Sequence, residues 1–592
     1  MKTLNEILIN VEKPSRYIGG EYGEGNLKWD KFNYCICFPD IYEVAMSNLG
    51  IKIVEDTMKK VDGVNVDRCF AVGKDFGTAL KENNIPLYSL GLKRPLKDFD
   101  MIGFSLSYEM SYTTVLYMLD LAGIPLTTEE RKGGNWPIIQ AGGVCVCNPE
   151  PLADFFDIFT IGDGEDCMRD LAKLALETKD REEFLRRASE EIQGVYVPEF
   201  MTVNYNSDGT IRSFESKYKV KKALCKNLDD AAFPDHFLSA NTEAVFDRGI
   251  IEVSRGCYRG CRFCQAGFVY RPVRPKKVQT LVKQACSIVR KGGFDELSMN
   301  SLSTGDYPYL PQLITELKEQ LPDVNLALPS LRLDSFDSEF VQETRKNSLT
   351  FAPEAGTQRL RNVINKDIDE SEIARAIDMA FDVGYSSIKL YFMIGLPTET
   401  DEDLNGICDI VDKIRDKYLQ KPKILRGLRI SISASTFIPK PFTPFQWERQ
   451  INKEELKHKL DVLRKRLFIK GVIVSWNDFE LSQIEAVLAR GDRRLGKVIA
   501  EAYKNGAYLE SWNEFFDIEN WNKAFSACGL TPETYTREYR EDEILPWDFI
   551  DMMIDKKFLL RERHTAYESK VTPNCKKQCN ACGIQKEYRC KL

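Results

Sequence analysis

One stretch determines the predicted architecture: Cys257-Tyr-Arg-Gly-Cys261-Arg-Phe-Cys264. Three thiolates spaced CxxxCxxC can bind three irons of a 4Fe–4S cluster, which leaves the fourth iron without a protein ligand. The alternative is a four-cysteine zinc site that takes its last ligand from elsewhere. Zinc sites usually combine two CxxC pairs, and no second pair lies between Cys264 and Cys286. The spacing therefore favours an iron–sulfur site with one open iron.

The composition of the whole chain is that of a large globular protein. Its 592 residues are 43% hydrophobic and 29% charged, enough for several domains. The 17 cysteines are too dilute for a disulfide scaffold. No apolar run approaches the roughly 18 residues of a membrane span, and the first residues do not form a secretion signal. We therefore expect a cytoplasmic protein with reduced cysteines.

Charge is distributed unevenly around the cysteine motif. The net charge of −7 gives no general affinity for nucleic acid. From Arg255 to Lys277, however, seven residues are basic and none is acidic. Two explanations stay open: the cations offset thiolate and ligand carboxylate charge, or they form a rim that meets the phosphates of a nucleic acid. The residues concerned are Arg255, Arg259, Arg262, Arg271, Arg274, Lys276 and Lys277.

The N-terminal third alternates short apolar runs with amphipathic stretches, which predicts a parallel α/β sheet of Rossmann type. Candidate strands are 34–38, 64–69, 87–90, 101–106, 138–142 and 158–162. Helical spacing fits 47–60, 75–83, 111–122 and 165–176. Glycines at the strand ends are either tight βα turns or part of a ligand crevice beyond the carboxyl edge of the sheet.

From residue 250 the same alternation predicts six βα units, an open (β/α)6 partial barrel. Active sites of such barrels lie at the carboxyl ends of the strands, where the cysteine motif follows the first strand. The candidate strands are 250–254, 296–300, 325–327, 349–352, 387–394 and 428–435. Between the two α/β regions, 202–205 and 211–215 are expected to form a hairpin.

The motif and its flanking Ser254-Arg255-Gly256 and Gln265-Ala-Gly267 resemble the radical S-adenosylmethionine (radical SAM) superfamily. The resemblance implies that SAM chelates the open iron. One electron through the cluster then splits SAM into methionine and a 5′-deoxyadenosyl radical. It also implies that Phe263 lies near the adenine, and that a low-potential donor of flavodoxin or ferredoxin type supplies the electron.

Further phrases at the strand ends are similar to the SAM-binding motifs of the superfamily. Ser303-Thr304-Gly305-Asp306 stands in place of the usual GGE, and Gly395-Leu-Pro397-Thr-Glu399 is similar to the GLPxET phrase of enzymes that modify RNA or carry cobalamin domains. The resemblance implies that these phrases surround SAM together with Ser330, Arg332 and Glu354, the arginine pairing with the SAM carboxylate.

The N-terminal region resembles the cobalamin-binding Rossmann-like domain that precedes many radical SAM domains. The phrases that carry this resemblance are Gly142-Gly143 and Gly162-Asp-Gly164-Glu165, and they imply a corrinoid pocket at those turns. The DxHxxG loop of mutase-type domains is missing, because His236 is the first histidine of the chain. A bound cobalamin would therefore lack a histidine ligand, and a purely structural domain remains the alternative.

The C-terminus repeats the cysteine spacing. Cys575, Cys579 and Cys582 form CxxxCxxC, and Cys590 follows eight residues later. Four thiolates complete a site, so either an auxiliary 4Fe–4S cluster or a structural zinc ion is expected. The preceding region is predicted to be mostly helical. Its tryptophans are expected as core anchors: Trp476, Trp512, Trp521 and Trp547.

These observations predict five regions and one reaction class. The regions are a Rossmann-like domain (1–176), a bridging segment (177–248), the partial barrel (249–450), a helical domain (451–570) and a cysteine-rich tail (571–592). The resemblance implies a radical SAM enzyme that transfers a methyl or methylthio group to a macromolecule such as RNA. The alternatives are a non-catalytic iron–sulfur and corrinoid carrier, or an enzyme acting on a small metabolite or peptide. Some relatives carry a further C-terminal domain, which a separate partner protein would supply here.

Overall fold

The computed structural model describes residues 2–328, 349–421 and 427–590. Its N-terminal sheet has the strand order β2-β1-β3-β4-β5-β6, parallel except for β6. The order reverses between β1 and β3, and such a switch point opens a ligand-binding crevice at the carboxyl edge. The strands are β1 Phe32–Phe38, β2 Val64–Phe70, β3 Met101–Ser105, β4 Ile138–Gly142, β5 Ile158–Thr160 and β6 Val195–Tyr196.

Helices cover both faces of this sheet. The helix Leu49–Lys59 begins where the Asn48 side chain accepts from the backbone N–H of Ile51, and it buries Ile53 and Met58. It packs beside the helix Gly164–Glu177 on one face. The helices of this region are Leu4–Leu8, Tyr42–Ala45, Leu49–Lys59, Lys74–Glu82, Tyr112–Leu121, Thr128–Arg131, Gly164–Glu177 and Arg181–Glu191.

The predicted strand 87–90 is wrong. Tyr88 makes one isolated bridge to Pro95, and the backbone N–H of Leu87 donates to the carbonyl of Leu121 on a helix. The run is apolar because it is buried beneath the sheet edge, which periodicity alone does not distinguish from a strand. The other five predicted strands are present.

The bridging segment contains the predicted hairpin, β7 Thr202–Tyr205 and β8 Ile211–Glu215. A short strand, β9 Val220–Lys221, pairs in parallel with β19 Ile550–Asp551 near the C-terminus. The bridge therefore connects the N-terminal sheet with the last part of the chain.

The barrel consists of two parallel sheets in the described residues, β10-β13-β14 and β15-β16-β17-β18. Along β16 the buried residues Ile388, Leu390 and Phe392 alternate with half-buried ones, so one face packs on helices and the other faces the lumen. The strands are β10 Gly249–Glu252, β13 Glu296–Asn300, β14 Asn325–Ala327, β15 Leu349–Glu354, β16 Ser387–Ile394, β17 Arg429–Thr436 and β18 Val472–Trp476. A two-stranded ribbon of β11 Ser254–Arg255 and β12 Arg274–Pro275 flanks the cysteine loop.

The two parallel sheets of the barrel together contain one strand more than the six predicted, because β18 pairs with β17. Trp476 is the last residue of this strand, and the Arg464 guanidinium packs over its ring. Trp476 is 38% exposed, so the prediction that it is a core anchor is wrong. The predicted domain limits stay a prediction. The N-terminal sheet extends to Tyr196, beyond the limit predicted at residue 176, and the barrel sheet extends to Trp476, beyond the limit predicted at residue 450. The barrel helices are Ala266–Val269, Val278–Gly292, Leu310–Gln320, Gln358–Val363, Glu370–Asp382, Asp401–Leu419 and Lys453–Leu467.

The region after β18 is mostly helical, as predicted. Trp521 and Trp547 are fully buried in it, and the indole N–H of Trp512 donates to Asp40. Burial raises the pKa of Glu510 to about 7 while the Trp521 indole donates to its carboxyl group. The helices are Phe479–Arg490, Leu495–Lys504, Ile518–Cys528, Glu533–Thr536 and Lys556–Tyr567. Within the three described ranges, no helix has the length and apolar character to cross a membrane.

Candidate functional site

The cysteine loop leaves the ribbon of β11 and β12 at the carboxyl end of the first barrel strand. Gly256 has a φ of +89°, and a Cβ there would lie 2.6 Å from the carbonyl oxygen of Pro272. This position therefore requires glycine. The backbone then places Cys257, Cys261 and Cys264 on one half-buried loop.

The three thiols are close enough to influence one another. Burial raises the pKa of Cys264 to about 12, and the neighbouring Cys261 and Cys257 contribute to the increase. The backbone N–H of Arg259 donates to the Cys257 sulfur at 3.4 Å. Among the described residues, no three cysteine, histidine, aspartate or glutamate side chains are positioned to hold a single metal ion. Three thiols on one loop nonetheless fit a cubane, in which each thiolate binds a different iron.

Buried polar contacts anchor the cysteine loop. The Arg262 guanidinium is inaccessible to solvent and donates to the carbonyls of Asn362 and Val363 at 3.0 and 2.9 Å. It also pairs with Glu562 at 3.3 Å. The Asn365 side chain donates to the carbonyl of Gly260 at 3.1 Å. These contacts fix the loop conformation because both its backbone and its side chains are engaged.

The phrase Ser303–Asp306 follows β13, so it lies at the same barrel end as the cysteine loop. Asp306 accepts two bonds from Arg259 (2.9 and 3.0 Å), one from Ser303 (2.7 Å) and one from Lys576 (3.0 Å). Burial opposes its ionisation, but the Arg259 hydrogen bond leads the contacts that lower the pKa of Asp306 to about 2. The carboxylate therefore holds this loop to the cysteine loop, and Thr304 is fully buried beside it.

The remaining predicted SAM residues lie at neighbouring strand ends. Glu354, at φ +67°, pairs with Lys366 at 2.9 Å. Gly395, at φ +86°, donates its N–H to Glu399 at 2.8 Å, and a Cβ there would lie 2.7 Å from Ile451. Phe263 packs against the apolar cluster that contains Leu360, Phe437 and Phe445. Ser330 and Arg332 lie outside the described residues.

The basic stretch around the motif is not a phosphate-binding rim. Arg274 pairs with Asp163, and the Lys276 ammonium lies 3.9 Å from the centre of the Phe233 ring. Arg271 packs over Phe268. Of the seven basic residues in this stretch, Lys277 is exposed and Arg255 is largely buried. The other five are buried: Arg259, Arg262, Arg271, Arg274 and Lys276. These six cations hold buried carboxylates and carbonyls rather than solvent-facing anions.

A cavity of about 630 Å³ lies between the N-terminal sheet and the barrel. On the sheet side it reaches Tyr34 of β1 and Gly103 of β3, the switch point of the strand order. On the barrel side it reaches Gly256, the residue before Cys257. The four turn residues predicted for a corrinoid all line it: Gly142, Gly143, Gly162 and Glu165.

The glycines of these turns are required by the protein backbone itself. A Cβ at Gly143 would lie 2.4 Å from the carbonyl oxygen of Leu106, and one at Gly162 would lie 2.2 Å from that of Ala223. Both residues have φ angles above +100°. The tight βα turns therefore require glycine at both positions. These turns form part of the cavity wall whether or not a ligand binds there.

A buried ion cluster connects the cavity to the cysteine loop. Arg255 donates to Glu165 at 2.6 Å, to Glu252 at 2.8 Å and to Asp163 at 3.0 Å. Burial opposes the ionisation of Asp163, but Arg255 and then Arg274 hold its pKa down at about 2. Glu165, predicted at a corrinoid pocket, thus lines the cavity while its carboxylate binds the residue two positions before Cys257.

The cavity floor is polar. The Tyr34 hydroxyl donates to Gln140 at 3.1 Å, and the Gln140 amide donates to Thr160 at 2.8 Å. All three side chains are buried on the sheet. The three histidines lie elsewhere: His236 near Gly23, and His458 and His564 on the surface. No imidazole therefore lines the cavity within the described residues, as the absence of a DxHxxG loop predicts.

The tail lies directly against the cysteine loop. The backbone N–H of Cys575 donates to the carbonyl of Tyr258 at 2.9 Å. Burial raises the pKa of Cys590, and the other three tail cysteines add to the increase, so the four thiols are neighbours. Cys582 is buried in the core and Cys579 is exposed. The predicted ligand set thus comes together at one place.

Sequence reasoning missed two cations of the site. Lys366 pairs with Glu354 and lies near enough to Cys264 to favour its thiolate. Lys222 is buried, and its ammonium donates to the carbonyls of Val269 and Arg271 behind the loop. Burial lowers the pKa of Lys222 to about 8. Both lysines lie far from the motif in sequence, and no local pattern marks either one.

Comparison with known proteins assigns the family. Residues 50–198 match the family described as radical SAM proteins, N-terminal, and residues 251–411 match the radical SAM superfamily. The chain is 30% identical over 470 residues to the uncharacterised protein MJ0966 of Methanocaldococcus jannaschii, covering 79% of this chain and 90% of that protein. It is 23% identical to a probable threonylcarbamoyladenosine tRNA methylthiotransferase of Archaeoglobus fulgidus, over 36% of this chain and 52% of that one.

Among solved structures, the chain is similar to the radical S-adenosylmethionine methyltransferase TsrM of Kitasatospora setae, with cobalamin and a [4Fe-4S] cluster bound. The TM-score is 0.44, the identity is 12%, and the match covers 68% of this chain and 72% of that one. The family assignment rests on the two family matches and on the similarity to the Methanocaldococcus jannaschii protein, which extends over most of both chains. The chain belongs to the radical SAM superfamily.

Proposed function

We propose that the chain is a radical SAM transferase that attaches a methyl or methylthio group to a macromolecule with the help of cobalamin. One observation carries the proposal: a single cavity is lined both by the turns at the carboxyl edge of the N-terminal sheet and by the residues just before Cys257. When bound, the cluster supplies the electron that splits SAM into methionine and a 5′-deoxyadenosyl radical, and the corrinoid supplies a methyl carrier.

In this proposal Cys257, Cys261 and Cys264 bind three irons. The buried contacts of Arg262 and Asn365 keep the loop in one conformation, which fixes the position of the open iron. Glu354 and Lys366 form the charged wall at the neighbouring strand end. The chain thereby orients SAM, and its buried ion pairs limit the access of water to the reacting groups.

The proposed corrinoid site is the crevice between β1 and β3. The buried polar groups of Tyr34, Gln140 and Thr160 offer hydrogen bonds to an amide-rich ligand. Because no imidazole lines this part of the described structure, no histidine of these residues would bind the cobalt of a corrinoid held there. A structural domain without corrinoid is the competing outcome.

The substrate is proposed to be a macromolecule, with RNA as the leading class. The similarity to a tRNA methylthiotransferase supports RNA, while the buried basic stretch adds no support. The cavity mouth carries the exposed apolar side chains of Phe246 and Leu302, which suit a base or another flat group. A low-potential electron donor is required, and a partner protein with a further domain stays a prediction.

Purification with hydroxocobalamin tests the proposal. The wild type is expected to retain corrinoid, and the electron paramagnetic resonance of its cobalt(II) state should lack splitting from an axial nitrogen. Ser105 lines the cavity at the end of β3, so Ser105→Trp should lose the corrinoid with unchanged iron content. Ser216→Trp, an exposed position outside the cavity, is the matched control. Corrinoid retention by Ser105→Trp, or none by the wild type, would contradict the proposed site.

A further inference from the structure

The cysteine-rich tail is bound to the cysteine loop by several polar contacts. The Asn365 side chain, which holds Gly260, also donates to the carbonyl of Thr572 at 3.1 Å. The Asn574 amide donates to Asp367 at 3.1 Å. Lys576 pairs with Asp306 at 3.0 Å. The tail is therefore part of the structure around the first motif and has a defined position beside it.

The four tail cysteines share a cavity with the first motif. This cavity of about 50 Å³ is lined by all four of them and by Cys257, Tyr258 and Arg271. Arg271 is 4% exposed, and its Nη1 atom has no hydrogen-bond partner among the described residues. A buried guanidinium N–H without a partner is costly. An anionic metal–thiolate centre in this cavity would provide its missing acceptor.

The donor set favours a cluster over a single zinc ion. Zinc requires four thiolates within about 2.3 Å of one point. The four tail thiols line one cavity, an arrangement in which each thiolate can bind a separate iron of a cluster. Four thiolates on separate irons close a 4Fe–4S cluster without an open position. Such a cluster serves electron transfer because it leaves no iron free for substrate.

The two cysteine sites differ in their access to solvent. Cys579 of the tail is exposed, whereas Cys257, Cys261 and Cys264 of the first motif are all half-buried. The Cys575 backbone donates directly to Tyr258, the neighbour of Cys257. The tail therefore places an exposed thiol beside the first motif, and one hydrogen bond joins the two backbones.

The surface around the tail is basic in an acidic protein. The chain carries a net charge of −7, but residues 570–592 contain six basic residues and one acidic residue. Lys577 and Arg589 are exposed, and Lys577 lies close enough to Asp367 to help lower the pKa of that carboxyl group. Opposite charge raises association rates between proteins and orients them. This surface thus suits an acidic partner.

We propose that the four tail cysteines hold a second 4Fe–4S cluster through which an acidic, low-potential one-electron carrier of flavodoxin or ferredoxin type reduces the first site. The carrier docks on the basic surface around Lys577 and Arg589. It is oxidised by one electron, and the site at Cys257, Cys261 and Cys264 is reduced by one, with no bond made or broken. The inference rests on the first cluster of the proposed function.

Reduction kinetics without SAM or substrate test the route. Reduced flavodoxin is mixed anaerobically with the full-length reconstituted protein, and electron paramagnetic resonance of frozen samples follows each cluster. The wild type should show reduction of the tail cluster before the first site. Cys579→Ser/Cys582→Ser should lose the tail iron and the rapid reduction of the first site. Cys528→Ser, a half-buried thiol outside both motifs, is the control.

Titration with titanium(III) citrate shows whether the first cluster remains intact in the tail variant. An unchanged midpoint with slow reduction by flavodoxin supports the route. Wild-type rates in the tail variant, or one zinc ion per tail in place of iron, would overturn it. Because SAM cleavage is not measured, a failure of the proposed transferase reaction leaves this result interpretable.

Charge reversal tests the docking surface. Lys577→Glu/Arg589→Glu should slow flavodoxin association about tenfold or more at low ionic strength, with the difference removed by high salt. Lys173→Glu, an exposed position on the helix Gly164–Glu177, reverses a charge on the N-terminal domain and should have a much smaller effect. Equal slowing by both changes would show that only net charge matters and would overturn the docking surface.

Discussion

Replacement of Arg255 by Met should destabilise the contact between the N-terminal sheet and the cysteine loop. The guanidinium is 13% exposed and pairs with Asp163, Glu165 and Glu252. Arg274 still neutralises Asp163 in the variant, which leaves Glu165 and Glu252 without their arginine. Removing one partner of a buried ion pair costs about 3–5 kcal/mol. We expect the free energy of local opening to fall by an amount in that range at neutral pH.

The size of this loss should depend on pH. In the wild type, burial opposes ionisation of Glu252, but Arg255 lowers its pKa. That stabilisation is present above the unfolded value of about 4.3 and is lost as the pH falls through the lowered folded pKa. Without Arg255, burial raises the pKa, so the carboxylate increasingly destabilises the folded state as the pH rises through it. The penalty should therefore be larger at pH 8 than at pH 5.5.

Hydrogen exchange of peptides that cover Glu165 and Glu252 measures local opening directly. The control is Arg248→Met, which removes a pair with the 37% exposed Glu296 and should cost about 1 kcal/mol or less. Equal protection in Arg255→Met and in the control would refute the argument. A penalty that grows as the pH is lowered would refute it as well.

Three further changes test other parts of the structure. Gly395→Ala should destabilise the barrel more than Gly384→Ala in thermal unfolding: both have positive φ, but a Cβ meets a side chain only at Gly395. Glu510→Gln should abolish a loss of stability on the order of 3 kcal/mol that the wild type undergoes as the pH rises from about 4.5 through about 7, because the buried carboxyl group must then ionise; unfolding across this range measures it. Cys579→Ser/Cys582→Ser should release the tail metal and retain most of the absorbance of the barrel cluster, with roughly four irons lost per chain if the tail holds a cluster.

Much of the α/β architecture follows from local sequence. The strands at Glu296–Asn300 and Ser387–Ile394 agree with the prediction to the residue, because each apolar run is bounded by polar or glycine residues. The strand Val472–Trp476 was missed because it is a half-exposed edge strand that follows a long charged helix. None of its residues is buried, whereas every second residue of Ser387–Ile394 and Arg429–Thr436 is buried.

The cysteines of the site could be recognised from spacing, whereas their surroundings could not. Two partners of Arg255, Asp163 and Glu165, come from the N-terminal region, and those of Arg262 include Glu562 near the C-terminus. Local patterns contain no information on such pairs, so the basic stretch supported two explanations. For the same reason, the sequence did not predict the contact between Cys575 and Tyr258, which are far apart in the chain and adjacent in the fold.

The central claim is that Cys257, Cys261 and Cys264 form the site of SAM cleavage. The most direct test is formation of 5′-deoxyadenosine by the reconstituted protein with SAM under anaerobic reduction. The wild type is predicted to form it. Cys261→Ala is predicted to form none while remaining folded, because in the proposed site each cysteine would be the sole protein ligand of one iron. Production of 5′-deoxyadenosine at the wild-type rate by Cys261→Ala would contradict the account.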